Sequence, residues 1–173
     1  QKDLKLASII KSIGEYSEKT HSNPFDSLIQ SIISQQLSGK AANAIYKRFL
    51  NYYSGAFPTP EQIISTSNEI FRAQIGLSYK KTEYIKDLSS SVINGQLKLT
   101  LLLEMSAEEI IAELVKVKGI GRWTAEMMLL CCLGGEDVIP VGVLVVRKGV
   151  KQLYNLPQLP EHSSILTTTL TCK

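Results

Sequence analysis

Helix start signals recur along this chain, each followed by apolar residues at helical spacing. Asn23-Pro24 sets a capping side chain ahead of a first-turn proline. Phe25, Leu28, Ile29, Ile32 and Ile33 then follow the i, i+3, i+4, i+7 pattern of a buried helix face. Ser38 can cap a further helix with Ala41, Ala42, Ile45 and Phe49 on its inner side. Thr59-Pro60-Glu61-Gln62 fits a capping box, and so does Ser106 with Glu109, ahead of Ile110, Ile111, Leu114 and Val115. Leu4, Leu6, Ile9, Ile10, Ile13 and Tyr16 keep to one side of an N-terminal helix. Further helices are expected from near Ser67 to Gly76, from Ser78 to Gly95, and from about Arg122 to Leu133, stopped by Gly134 and Gly135. Strand alternation is scarce, and only Val141 to Val146 is β-branched enough to be ambiguous. The expectation is an all-α protein of eight or more short helices.

Composition narrows the class. A chain of 173 residues is one domain, or two small lobes sharing a core. With 44% apolar and 20% charged residues it is not a disordered polymer. The longest wholly apolar run, Met127 to Leu133, is too short to cross a bilayer. No basic-then-apolar leader is visible at Gln1 to Lys19. A net charge of +3 permits a polyanion partner without demanding one. Cys131, Cys132 and Cys172 form neither a metal-ligand spacing nor an even disulfide framework; Cys131 and Cys132 sit in an apolar run and are expected as buried free thiols, in a reducing, intracellular compartment.

The most informative segment is Leu114-Val115-Lys116-Val117-Lys118-Gly119-Ile120-Gly121-Arg122-Trp123-Thr124-Ala125. A capped amphipathic helix meets a two-glycine turn, and a second helix follows at once. Gly119 and Gly121 can take positive φ and let another backbone approach, while Ile120 can plug the core. The amides of the turn and of the next helix's first residues are then expected to face outward, a ready phosphate site. Lys116, Lys118 and Arg122 add positive charge at the same end. A glycine-containing helix connection with no ligand is the competing reading of G-x-G alone.

This twelve-residue stretch resembles the helix-hairpin-helix of the DNA glycosylase superfamily that includes endonuclease III. The likeness extends to Asn23-Pro24-Phe25-Asp26-Ser27-Leu28-Ile29, to Ser34-Gln35-Gln36-Leu37-Ser38 with Ala41-Ala42, and to Gly76-Leu77-Ser78-Tyr79-Lys80-Lys81 with Tyr84-Ile85. It continues in Asp137-Val138-Ile139-Pro140-Val141-Gly142 with Arg147-Lys148-Gly149, so it spans roughly residues 4 to 160. The four-cysteine iron-sulfur motif of endonuclease III is absent, which points to the 3-methyladenine DNA glycosylase II (alkylpurine) branch. The resemblance implies a two-lobed helical bundle with the target-base pocket between the lobes. It implies one glycosylase-like domain over 1–173, with the hairpin motif at about 107–133. It also implies a monomer acting on duplex DNA that contains alkylated bases, with no cofactor, no membrane and no metal beyond room for a monovalent ion at the hairpin turn.

Site residues follow from the same likeness. Lys118, Gly119, Gly121, Arg122 and Thr124 would bind phosphate. Gln36, with Gln35 and Leu37 beside it, would fill the gap left by an extracted base, although both glutamines equally suit an ordinary surface. Trp123, the sole tryptophan, would line the base pocket, where an alkylated purine's positive charge meets π electrons. Phe25, Tyr46 and Tyr79 are weaker pocket candidates, since aromatics at helical spacing are usually core. Lys80 and Lys81 would meet phosphate or cover a solvated face.

The chain departs from the family at two places. The family carries a catalytic Asp in a Pro-x-Gly-Asp segment at the start of the helix after the hairpin. This chain reads Pro140-Val141-Gly142-Val143-Leu144-Val145, with Val143 at the Asp position, or Gly142 if the alignment slips by one residue, and no acidic residue lies from Ile139 to Leu153. Asp137 and Glu136 are nearest in sequence, but the family usually has an acid at the Asp137 position as well as the catalytic one. Glu126 has no special claim. Severely reduced or absent chemistry is expected, with slow excision surviving for already cationic N3- or N7-alkylated purines. The tail from Pro157 to Lys173 is the second departure: it lacks the aromatic- and arginine-bearing final helix and reads as truncated or disordered, and His162 has no role. Two other readings compete: a non-catalytic lesion-binding or non-specific DNA-binding protein, and a helical module that uses the hairpin for protein contacts.

Overall fold

The computed structural model describes residues 3–14, 23–133, 140–161 and 164–165. Gly134, Gly135, Glu136, Asp137, Tyr16, His162 and Cys172, with most of the tail beyond Glu161, lie outside the described residues, as does the side chain of Cys131. Among the described residues every regular element is helical: α1 (Leu4–Ile13), α2 (Pro24–Ser34), α3 (Gly39–Tyr52), α4 (Pro60–Ser65), α5 (Asn68–Ile70), α6 (Tyr79–Ile93), α7 (Ala107–Leu114), α8 (Arg122–Cys132) and α9 (Leu144–Tyr154). The chain divides into two compact units, residues 20–135 and residues 1–19 with 136–173.

In the larger unit the caps work as the sequence suggests. Asn23 Oδ1 accepts from the Phe25 amide at 3.0 Å, Ser38 caps α3, and Ser78 caps α6. Both capping boxes close, Thr59 with Gln62 and Ser106 with Glu109. The α2 stripe of Phe25, Leu28, Ile29, Ile32 and Ile33 is buried throughout. It packs against α3, α6 and α8. Five such side chains, each worth about 1.5–3 kcal/mol when buried, make α2 the axis of the unit. A cluster of Phe25, Phe49, Phe57 and Tyr53 rings packs alongside, the Phe25 and Phe57 centroids 5.8 Å apart and edge-on.

Two short elements are absent from the sequence expectation. The helix expected from Ser67 breaks after α5 into a π-helical turn, Phe71–Ile75, before Gly76 ends it. Leu99–Glu104 forms a 3-10 segment that buries Leu102. In the smaller unit, α1 is capped by Asp3, whose Oδ1 accepts from the Lys5 and Leu6 amides at 2.9 and 3.0 Å. Its apolar stripe is not buried: Leu4 is 83% and Ile13 78% exposed. The Tyr154 hydroxyl of α9 donates to Asp3 Oδ2. The ambiguous valine run resolves as a turn, with the Val143 amide on the Pro140 carbonyl at 2.9 Å, followed by helix from Leu144.

Candidate nucleic-acid interface

The hairpin is built from the core outward. Val117 and Ile120 are both 4% exposed and plug the space between α7 and α8. The Ile120 amide closes the turn on the Val117 carbonyl at 3.1 Å, and the Lys118 amide donates to Asp87 Oδ2 of α6 at 3.0 Å. These two turn amides are therefore satisfied within the protein rather than facing outward. Only Gly119 takes positive φ, +82°. A Cβ there would lie 2.1 Å from Cδ2 of the Tyr84 ring, so α6 seats the turn on an aromatic face that no side chain could share. Gly121 differs: it is extended at φ −91° and ψ 169°, and caps α8 without a side chain. The amides of Gly121, Arg122, Trp123 and Thr124 have no acceptor among the described residues. These are the orphan donors of a helix start, carrying the positive end of its dipole.

The basic residues at this end are ion-paired. Lys118 Nζ donates to Glu83 Oε1 at 2.8 Å, which raises the lysine's pKa and lowers the glutamate's. Arg122 reaches two helices: Nη2 meets Glu108 Oε1 at 2.7 Å, and Nε meets Glu126 Oε1 at 2.9 Å. Glu108 first, and Glu126 after it, holds the guanidinium protonated above its ordinary value. Glu126 is nearly buried, its side chain 9% exposed, so it serves this clamp. The Lys118–Glu83 and Arg122–Glu108 pairs are more than half exposed on both sides. Such pairs are weak and exchange readily for another anion. Thr124 is buried as a whole, 4% exposed, so its hydroxyl is not offered to a phosphate.

The loop between α2 and α3 meets the hairpin directly. Gln35 Nε2 donates to the Gly119 carbonyl at 2.8 Å. Gln35 is therefore a tie between loop and turn, not a free wedge. Lys81 Nζ donates to the carbonyls of Ile33 and Gln35 at 2.7 and 2.8 Å, so it closes the end of α2 instead of offering its charge to phosphate. Burial lowers its pKa. Gln36 sits at φ +57° and is exposed, and Leu37 is 39% exposed.

The four aromatic candidates have different surroundings, with Phe25 and Tyr46 joined through Phe49 and Phe57 in one ring cluster. Trp123, on the first turn of α8, is 50% exposed. Phe25 is a core residue, 6% exposed and edge-on to Phe57. Tyr46 is half-buried, and its hydroxyl donates to Asp26 Oδ1 at 2.5 Å. Burial first, and that bond second, push the phenol well above its ordinary pKa. Tyr79 lies under the Arg72 guanidinium, 4.1 Å from the ring centroid. What α2 and α8 form together is a groove of about 190 Å³ lined by Ser27, Gln30, Ser31, Thr124, Met127 and Met128. Sequence reading passed over it because its small polar residues flank the α2 stripe and look like an ordinary solvated edge.

Val143, in the smaller unit, is the N-cap residue of α9 at φ −80° and ψ 118°, with no side-chain bond to the helix's first amides. Its side chain carries neither charge nor lone pair. No set of three or more histidine, cysteine, aspartate or glutamate side chains able to hold a metal occurs among the described residues.

An all-helical fold with this hairpin defines a class, and comparison with known proteins names it. The chain belongs to the HhH-GPD superfamily of base excision DNA repair proteins, whose family model matches residues 29–170. It is 38% identical over 169 residues to DNA-3-methyladenine glycosylase 1 of Schizosaccharomyces pombe, covering 95% of this chain and 74% of that protein. It is 32% identical over 176 residues to the alkylbase DNA glycosidase-like protein mag2 of the same yeast, covering 99% and 82%. Among solved structures, S. pombe 3-methyladenine DNA glycosylase (Mag1) in complex with abasic DNA superposes with a TM-score of 0.83 at 36% identity, covering 98% of this chain and 84% of that one.

Proposed function

We propose that this chain recognises alkylated purines in duplex DNA as an intracellular base-excision repair protein, and that its excision chemistry is weak. The observation that carries the reading is the hairpin. Four amides at the start of α8 have no acceptor among the described residues, and Lys118 and Arg122 stand beside them with exchangeable partners. Contacts of this kind hold a phosphate backbone without reading sequence. Gln36 and Leu37 project from the neighbouring loop as the wedge that fills an emptied stack. Trp123 presents a half-exposed indole to a cationic base.

The weak chemistry follows from Val143. Breaking the C1′–N bond builds positive charge on the sugar, which a carboxylate would stabilise. Valine supplies nothing to that charge. N3- and N7-alkylated purines leave as neutral bases from a cationic start and need least help, so they are the substrates that would still be released. A second reading, lesion binding with no release at all, is favoured by the same valine.

Single-turnover release from duplex DNA containing 3-methyladenine tests both. Slow release by the native chain, raised at least tenfold by Val143→Asp, is the expected result; release that stays at background in both proteins leaves binding as the function. Affinity for DNA should fall steeply with salt, and Gly121→Asp should weaken binding to damaged and undamaged duplexes alike. Affinity indifferent to salt would make the hairpin a protein-contact element and end the DNA reading.

A further inference from the structure

We propose that Lys81 is a positioning residue for the wedge loop: its ammonium gathers the carbonyls at the end of α2 and so fixes the turn from which Gln36 and Leu37 reach the duplex. The inference rests on the reading of that loop as the wedge.

The end of α2 is poorly provided for on its own. A helix leaves its last four carbonyls without partners and concentrates partial negative charge there. Helices commonly close with a glycine in the left-handed region. Here that place is taken by Gln36 at φ +57°, a conformation that costs a residue with a Cβ and persists only where its surroundings impose it. Three contacts impose it. The Leu37 amide returns to the Ser34 carbonyl at 3.1 Å. Lys81 Nζ bridges the carbonyls of Ile33 and Gln35 at 2.7 and 2.8 Å. Gln35 Nε2 then ties the loop to the Gly119 carbonyl at 2.8 Å, on the hairpin itself.

Lys81 has no carboxylate partner among the described ion pairs. Its charge is met by the backbone dipoles of Ile33 and Gln35, two residues apart at the end of α2. An ammonium can donate to both carbonyls at once, whereas an apolar side chain of the same length can donate to neither. The result is a loop ordered before DNA arrives, with Gln36 exposed, held at a set distance from the phosphate-binding turn. Insertion of a pre-ordered wedge avoids the cost of ordering it on binding. Lys81 therefore acts on entry into the stack, and the grip of the hairpin on the backbone should not depend on it.

The test uses the full chain and two duplexes, one undamaged and one carrying a tetrahydrofuran abasic analogue beside 2-aminopurine, whose fluorescence rises on unstacking. The native chain should prefer the abasic duplex and raise the fluorescence. Lys81→Met should lower that preference about tenfold and reduce the fluorescence change. Affinity for undamaged duplex and its salt slope should stay unchanged, and Lys81→Arg should recover most of the loss. Preference and fluorescence untouched in Lys81→Met overturn the proposal. If Lys81→Met does not fold, Lys81→Gln, which removes the ammonium but keeps a polar side chain, must lower the preference in a folded protein; failure to do so also overturns it. A native chain without abasic preference or fluorescence change would instead sink the wedge reading, and the role of Lys81 with it.

Discussion

Gly119→Ala probes the seat of the hairpin on α6. A Cβ at this position would stand 2.1 Å from Tyr84 Cδ2 and 2.3 Å from Cγ, so either the ring or the turn must move. Overpacking of this kind costs about 1–3 kcal/mol. The backbone adds its own term, because φ is +82° and a side chain there costs about 1–2 kcal/mol. Together they predict a loss of about 2–5 kcal/mol. With a urea m value of about 2 kcal/mol/M, the unfolding midpoint should drop by roughly 1–2.5 M. Gly121→Ala is the internal control, since φ is −91° and nothing lies within 4 Å of its Cβ; its cost should stay within about 1 kcal/mol. Trp123, the sole tryptophan and next but one to Gly121, reports both transitions by fluorescence. In the double variant Gly119→Ala with Tyr84→Ala the clash disappears and the backbone strain remains, so the double loss should fall short of the sum by about 1–3 kcal/mol. Equal midpoints for the two alanine variants, or a strictly additive cycle, would refute the geometry.

Three further outcomes are expected. Val143→Asp should stabilise the chain by about 1 kcal/mol in urea unfolding, because an aspartate can cap the α9 amides that valine leaves unbonded; this gain is independent of any effect on base release. Arg122→Lys should cost on the order of 1 kcal/mol after solvent screening, since an ammonium cannot span Glu108 and Glu126 together, and an unchanged midpoint would remove the clamp. Glu109 is held below its ordinary pKa of 4.5 by bonds from the Ser106 hydroxyl and amide. A depressed carboxylate contributes stability that is present above its unfolded value and lost as the pH falls through the folded one. Stability should therefore decline below about pH 4.5, and Glu109→Gln, which keeps the capping geometry, should flatten that decline in a pH series of unfolding midpoints.

Which features could be read from sequence depends on how far apart the partners lie. Ser38, Thr59, Ser78 and Ser106 cap amides within three residues of themselves, so short windows contain the whole interaction. The α2 stripe is likewise local, and the hairpin pattern combines two such helices with a turn. Long-range choices were not legible. Nothing in G-x-G distinguishes the glycine that meets Tyr84 from the one that meets open space. The acceptor of Gln35 lies 84 positions away and the carbonyls that hold Lys81 lie 46 and 48 positions away, so local sequence leaves Gln35 open between wedge and surface and Lys81 open between phosphate contact and a solvated face. Phe25 and Tyr46 carry the chemistry of a base pocket, but the ring cluster beside α2 and the Asp26 carboxylate use them instead. The π-helical turn at Phe71–Ile75, with Phe71 and Ile75 both buried, follows no spacing that distinguishes it from an α-helix in sequence.

The acidic partners of Lys118 and Arg122 have a consequence for how such a protein would travel. Each cation already rests on a tethered surrogate for a nucleotide strand, Glu83 or Glu108, so an incoming phosphate gains only the difference between two anions. Undamaged sequence would then be released almost as easily as it is caught. A searcher that must inspect a long polymer profits from that indifference.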